Sequence, residues 1–272
     1  MDLLNRLLTI CLDGFLLPWR SLSPIWGLAA VSTLAGVVMV WIFGKVSPQR
    51  RIGALRTRIE GHLLEIWLFR ESTRVALAAE ARVFYNTMKY LLALLPALMV
   101  LMVPVVPLMA HLQARYGYLP LAAGESTVVR VVYRQPTSAE AMDVRLDVPD
   151  GLALETPPLR IPTTGEVDFR VGTLREGDYT ITVRAGEQKI TKTVRVGPGQ
   201  RPLSPVRGGS LLDRLLYPVE AAVPKGPVAS VRLDYPQRDV AFFGFEVHWI
   251  WPFLILSLVA GFLVKGFLKV KL

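Results

Sequence analysis

The chain has 272 residues, 52% of them apolar, with a mean hydropathy of +0.39 and a formal net charge of +9. So apolar a composition argues against an ordinary soluble domain. The single cysteine, Cys11, excludes an internal disulfide and any cysteine-built metal site.

In chain order, residues 1–24 begin MDLLNRLLTICLDGFLLPW, which lacks the basic start and the small-residue cleavage pattern of a signal peptide. Its leucines predict a short amphipathic helix lying on an outer membrane face, with Pro18 and Pro24 separating it from the first apolar run. That run, residues 25–44, IWGLAAVSTLAGVVMVWIFG, is uncharged. At about 1.5 Å per residue it spans roughly 30 Å, the thickness of a hydrocarbon core. Two more such runs, 91–110 and 247–264, predict a three-span protein. Trp26, Trp41, Tyr90, Trp249 and Trp251 stand at the ends of these runs, where interfacial aromatics belong.

Residues 45–90 carry nine basic and four acidic side chains, the tail 265–272 adds three lysines and no acid, and 111–246 is nearly balanced. The positive-inside rule then places 45–90 and the C-terminus in the cytoplasm, and the N-terminus and 111–246 outside an inner (plasma) membrane. The basic charge is a topology signal, and specific DNA binding is not expected.

Within 45–90, Ile52, Leu55, Ile59, Leu63 and Ile66 repeat at helical spacing, as do Leu77, Ala81, Phe84 and Met88. Because the second span starts near residue 90, this segment must fold back as a hairpin or lie flat on the membrane. A bend at Phe69 to Thr73, capped by Ser72 or Thr73, predicts the hairpin. Trp67 and Phe69 near that bend either pack between the two arms or meet lipid or a partner. In the second run, Pro96, Pro104 and Pro107 each remove an amide and free the carbonyls of Leu92, Val100 and Val103. The outcome is a kinked helix, serving packing alone or a functional concavity.

Residues 119–197 change character. STVVRVVYR, MDVRLDV, GEVDFRV, DYTITVRA and QKITKTVRV are strand-like, separated by turns at 149–151, 163–165, 175–178 and 185–187. They predict an antiparallel β-sandwich, and Leu174 to Tyr179 resembles the tyrosine corner of Ig-like domains. Residues 198–246 read as a Gly/Pro-rich linker, an interfacial helix in SLLDRLLYPVE and a possible extra strand in VASVRLDYP. The fold class is thus mixed: three transmembrane helices, a cytoplasmic helical hairpin and an extracytoplasmic Ig-like sandwich.

No nucleophile elbow, zinc-protease, P-loop or dinucleotide motif occurs, and His62, His111 and His248 lie on three separate segments. Neither an enzyme nor a cofactor is expected. Asp143, Asp147 and Asp150 form either a solvated strand face or a calcium site. The spans hold no ionisable side chain in their central turns; their hydroxyls are Ser32, Thr33 and Ser257, and Ser32 with Gly36 makes a small-xxx-small face.

This order of parts resembles the YidC/Oxa insertase superfamily, in particular its three-span branch with the archaeal YidC-like proteins and the third subunit of the ER membrane protein complex. The resemblance is carried by LSPIWGLAAVSTLAGVVMVWIFGKVSPQRRIGALRTRIEGHL and MKYLLALLPALMVLMVPVVP, and covers 18–110 and 247–272. Unlike YidC, the chain has no arginine within its spans, and a β domain interrupts the connection between the last two. The resemblance implies an insertase or assembly chaperone working without a cofactor. Its partly hydrated groove would be lined by Ser32, Thr33, Ser257 and the carbonyls of Leu92, Val100 and Val103. Arg50, Arg51, Arg56 and Arg58 would meet nascent membrane proteins, a ribosome or anionic lipid. The alternatives are a non-catalytic scaffold that binds other membrane subunits through its Ig-like domain, and an envelope sensor.

Overall fold

The computed structural model describes residues 2–19, 22–69, 71–135, 143–199, 201–268 and 270. Lys269 and Lys271 of the basic tail lie outside them. The helices are α1 (Asp2–Leu16), α2 (Pro24–Val46), α3 (Gln49–Leu68), α4 (Thr73–Tyr116), the short α5 (Leu211–Leu216) and α6 (Ile250–Lys265). The chain divides into two compact units, Leu28–Val105 with Ile250–Leu272, and Met1–Gly27 with Val106–Trp249.

The first unit is helical. Both α2 and α4 are long and apolar enough to cross a membrane. Pro24 opens α2, where its missing N–H costs nothing, and Lys45 sits in the last turn, against the negative end of the helix dipole. Helix α6 is apolar but has only 16 residues, because Val247 and His248, expected in a third span, belong to a β-strand. Helices α2 and α6 meet through small residues: a Cβ on Gly36 would collide with the Ser257 carbonyl, and one on Gly261 would press on Val40. The helical core gathers Phe43, Ile52 and Ala97, with Tyr90, Leu94, Leu101 and Val270 packed against it.

Helices α3 and α4 are separated by residues 69–72, and Arg82 Nη1 reaches back to Glu65 Oε1 at 3.1 Å. The buried face of this pair differs from the expected stripes. Ile52 and Leu55 are buried, but Leu63, Leu77, Phe84 and Met88 are exposed, and Ala79 and Asn86 are buried instead.

The described residues of the second unit form the strands β1 (Ser126–Tyr133), β2 (Val144–Asp147), β3 (Leu152–Leu154), β4 (Leu159–Ile161), β5 (Glu166–Thr173), β6 (Gly177–Ala185), β7 (Gln188–Val196), β8 (Val206–Gly208), β9 (Val228–Leu233), β10 (Asp239–Phe242) and β11 (Phe245–His248). One antiparallel sheet runs β3-β5-β1-β9-β8, with β4 also on β5; a second runs β2-β6-β7. Alternating residues of both sheets enter one core, with Val129, Val131, Phe169 and Val171 from the first and Ile181, Val183, Ile190 and Val194 from the second. The β region does not close at residue 197: β9 pairs along β1 from Val129 to Tyr133, so it stands inside the first sheet. Strands β10 and β11 form a separate hairpin turning at Phe243 and Gly244, with φ of +49° and +85°. A phenylalanine rarely accepts that backbone, and its ring stands 86% exposed.

Candidate functional site

The residues predicted to line a groove fall into two settings within the helical unit. Ser32 and Ser257 are buried, and their hydroxyls are satisfied inside their own helices. Ser32 Oγ donates to the Leu28 carbonyl at 2.6 Å and Ser257 Oγ to the Leu254 carbonyl at 3.1 Å. Leu92, Val100 and Val103 are exposed on α4, and Thr33 is exposed on α2. Helix α4 runs unbroken past Pro96, Pro104 and Pro107.

Arg50, Arg51, Arg56 and Arg58 all stand exposed on α3, with Arg56 Nε donating to Glu60 at 2.9 Å. Trp67 is 73% exposed and Phe69 is exposed too, so packing between the arms is not their role. His62 Nδ1 lies 3.0 Å from Glu65, and this contact with Arg82 holds the Glu65 carboxyl below the usual range.

The β unit contains a cleft of about 1620 Å³. Helix α1 borders it, turning Asn5, Leu12 and Leu16 inward and Leu7 and Ile10 outward. His111 anchors that helix: its Nδ1 lies 2.8 Å from the Pro107 carbonyl and its Nε2 3.2 Å from Thr9 Oγ1. One turn further on, Arg115 lines the cleft and is only 7% exposed. Arg115 Nη2 stands 2.8 Å from Asp13 Oδ1, while its sealed Nε has no acceptor among the described residues. Among the described residues, Arg238 donates to the carbonyls of Arg115 and Gly199, each at 3.4 Å. Burial pulls the Arg238 guanidinium below the ordinary arginine value. Its position is set by backbone pairing, since Arg238 N donates to the Gly117 carbonyl at 3.1 Å and Gln237 bridges to Tyr118.

Two further polar devices shape the unit. Lys192 is fully buried, and its Nζ donates to Glu220 Oε2 and to the Ser204 carbonyl, each at 2.7 Å. Glu220 Oε1 accepts from Thr193 N, tying residues 204–220 to β7. Burial lowers the Lys192 ammonium below the usual lysine range, against the pull of Glu220. At the corner where the chain passes from β5 to β6, the Tyr179 hydroxyl donates to the Arg175 carbonyl at 2.9 Å. Gly151 makes room for that ring, which a Cβ there would strike.

Arg115, Arg238 and the Lys192–Glu220 pair were not among the residues singled out from sequence. Each partner lies far from the other in the chain, and none belongs to a motif. The one available signal was a lone arginine soon after a long apolar run.

No protein-family model and no curated protein matches the chain. Among solved structures it resembles domains 4 and 5 of the S-layer protein SbsC, at 18% identity and a TM-score of 0.23, over 30% of this chain and 47% of that one. A longer structure of the same S-layer protein matches at 19% identity and a TM-score of 0.23, over 35% of this chain and 14% of that one. The chain thus spans less than half of either neighbour, and likeness at this level carries no functional argument.

Proposed function

We propose that the chain is a three-span inner-membrane protein with an extracytoplasmic Ig-like domain, acting as an insertase or assembly chaperone of the YidC/Oxa type. The observation that carries this reading is the make-up of α4. Its first turns pair with a basic helix, and the same unbroken helix continues into an apolar stretch whose Leu92, Met99, Val100 and Val103 stand exposed. Such a face suits a transmembrane client held between lipid and protein, and methionine there adapts to varied surfaces. Exposed Arg50, Arg51, Arg56 and Arg58 offer nascent chains, a ribosome or anionic lipid a contact on the cytoplasmic side. The Ig-like description is supported by the shared core of two antiparallel sheets and the Tyr179 corner bond.

Photocrosslinkers at Met99 and Val103 test the reading: newly made membrane proteins should be captured during synthesis. In a Cys11→Ser background, a cysteine at Thr164 should react with an impermeant reagent from outside and one at Ser72 should not. Labelling of Ser72 from outside would remove the assigned topology. A second reading, a non-catalytic scaffold, is favoured by one observation. Ser32 and Ser257 are packed and internally bonded rather than offered to a hydrated groove. Capture of one fixed set of subunits, with no nascent chains, would select it.

A further inference from the structure

We infer that α4 carries a coiled-coil seam from Leu77 to Met102, on which a second copy of this chain docks in parallel. The direction of the pairing rests on the membrane reading above.

Leu77, Ala81, Phe84 and Met88 follow one another at steps of four, three and four residues. The same alternation continues through Leu91, Leu95, Leu98 and Met102. All of them stand exposed, Phe84 by 69%. The chain's own contacts use the other side of the helix: Ala79, Asn86 and Ala93, seven residues apart, are buried, and Ala97 enters the helical core. In heptad terms the exposed stripe fills positions a and d, and the buried three fill f, opposite them. A straight helix drifts about 20° per heptad from a seven-residue repeat. A stripe that keeps the repeat for more than three heptads therefore matches a supercoiled partner helix.

The stripe's two halves select the occupant. Leu77, Phe84 and Met88 lie in the basic segment assigned to the cytoplasm, where water surrounds them, and Leu91 to Met102 lie in the apolar run. A partner helix must pass from water to lipid at the same level as α4. Two copies inserted with one topology do so by construction, each seam residue facing its own counterpart across a two-fold axis. Charge agrees with this pairing. In a parallel pair, position g of one helix faces the following e position of the other. Glu80 stands exposed at g, and the facing e residue is Tyr85, over whose ring Lys89 holds its ammonium 4.1 Å from the centroid. The carboxylate of each copy thus meets the ammonium of the other. The seam side chains expose on the order of 800 Å² per copy, about the share of each partner in a stable interface. Arg74, at the preceding a position, ends the seam, because like charges would meet there. Val100 and Val103 occupy f and b, so the face offered to clients stays open.

The test oxidises single cysteines in native membranes, in the full chain carrying Cys11→Ser. They are placed at Ala81, Phe84, Met88 and Leu95 on the seam, and at Arg82 and Val103 off it. A parallel pair brings a and d positions within disulfide reach, so the seam cysteines should give at least tenfold more covalent dimer than the other two. In uncharged detergent the full chain should sediment as a dimer. Phe84→Glu should weaken that dimer at least tenfold and leave the helix signal intact, since Phe84 is exposed. A monomer without seam disulfides, or coupling as strong at Arg82 and Val103, overturns the seam. Coupling of the seam cysteines to a different protein overturns the second copy as its occupant. Coupling of an Ala81 cysteine to a Leu98 cysteine, in place of self-coupling, overturns the parallel arrangement. Labelling of a Ser72 cysteine from outside, with seam self-coupling intact, would defeat the assigned sides alone and uphold the seam.

Discussion

In the β unit the large apolar side chains Phe169, Ile181 and Ile190 are all but fully buried, and exposed positions of β5, β6 and β7 include the charged Arg170, Asp178, Arg184 and Lys189. In the helical unit Leu28, Phe43, Ile52 and Phe253 are buried, but many large apolar side chains stand in the open. Leu92, Val103 and Leu263 stand 58%, 73% and 70% exposed, while α2 and α6 approach each other through Gly36, Ser257 and Gly261. A core driven by the hydrophobic effect puts its largest apolar groups inside. Where the surroundings are as apolar as leucine, association depends instead on close backbone packing, which selects small residues. The two units thus read as built for two solvents, which supports the membrane reading of the helices without appeal to any relative.

The comparison breaks most visibly if the β unit cannot stand by itself in water. An excised 117–238 fragment is expected to unfold cooperatively, whereas 119–197, which lacks β9 and β8, should show no cooperative transition. Thermal melts followed by circular dichroism read the difference. Folding of the shorter fragment would mean that the β1–β9 pairing is dispensable.

Next in size is the buried ion pair. Lys192→Met alone should cost about 3–5 kcal/mol, because it strands the buried Glu220 carboxylate. Lys192→Met combined with Glu220→Gln should cost less than the two single changes summed. The pair also sets a pH dependence. The folded-state value of Lys192 is lowered, so the unfolded state holds the proton more tightly, and stability should rise as pH climbs toward the ordinary lysine value near 10.4. Burial pushes the Tyr235 hydroxyl up to about 12, so its contribution is present below about pH 10 and lost as pH rises toward 12. Denaturant titrations across this range should show a gain that Lys192→Met abolishes and a later loss that Tyr235→Phe abolishes.

Gly36→Leu probes the other solvent. Overpacking the α2–α6 contact should cost about 1–3 kcal/mol. The melting of the helices in detergent should fall while hydrogen exchange in the β strands stays unchanged. If the strands lose protection as well, the two units are not independent.

Tyr179→Phe removes a single corner hydrogen bond and should cost about 1 kcal/mol in the 117–238 fragment. No change there would deprive the Ig-like description of one of its two supports. Smallest of all is Arg82→Ala. The Glu65–Arg82 bond is exposed, so its loss should cost little stability, an effect that vanishes in high salt. A larger, salt-insensitive effect would mean that the α3–α4 pair is held chiefly by this contact rather than by packing.

Local order was legible in the residues themselves. The alternation in STVVRVVYR and QKITKTVRV marks β1 and β7, and the uncharged run after Pro24 marks α2, because side-chain period and chain solvation are properties of short segments. Tertiary structure decided what depends on partners distant in the chain. It placed β9 beside β1 across some hundred residues, drew Val247 and His248 into a hairpin, and turned Phe84 and Met88 outward in favour of Ala79 and Asn86. It also set Arg238 against Arg115, through backbone bonds from residues 237 and 238 to 117 and 118. Periodicity shows that a segment has a face, but only the packed neighbours determine which face is buried and which charges share a cleft.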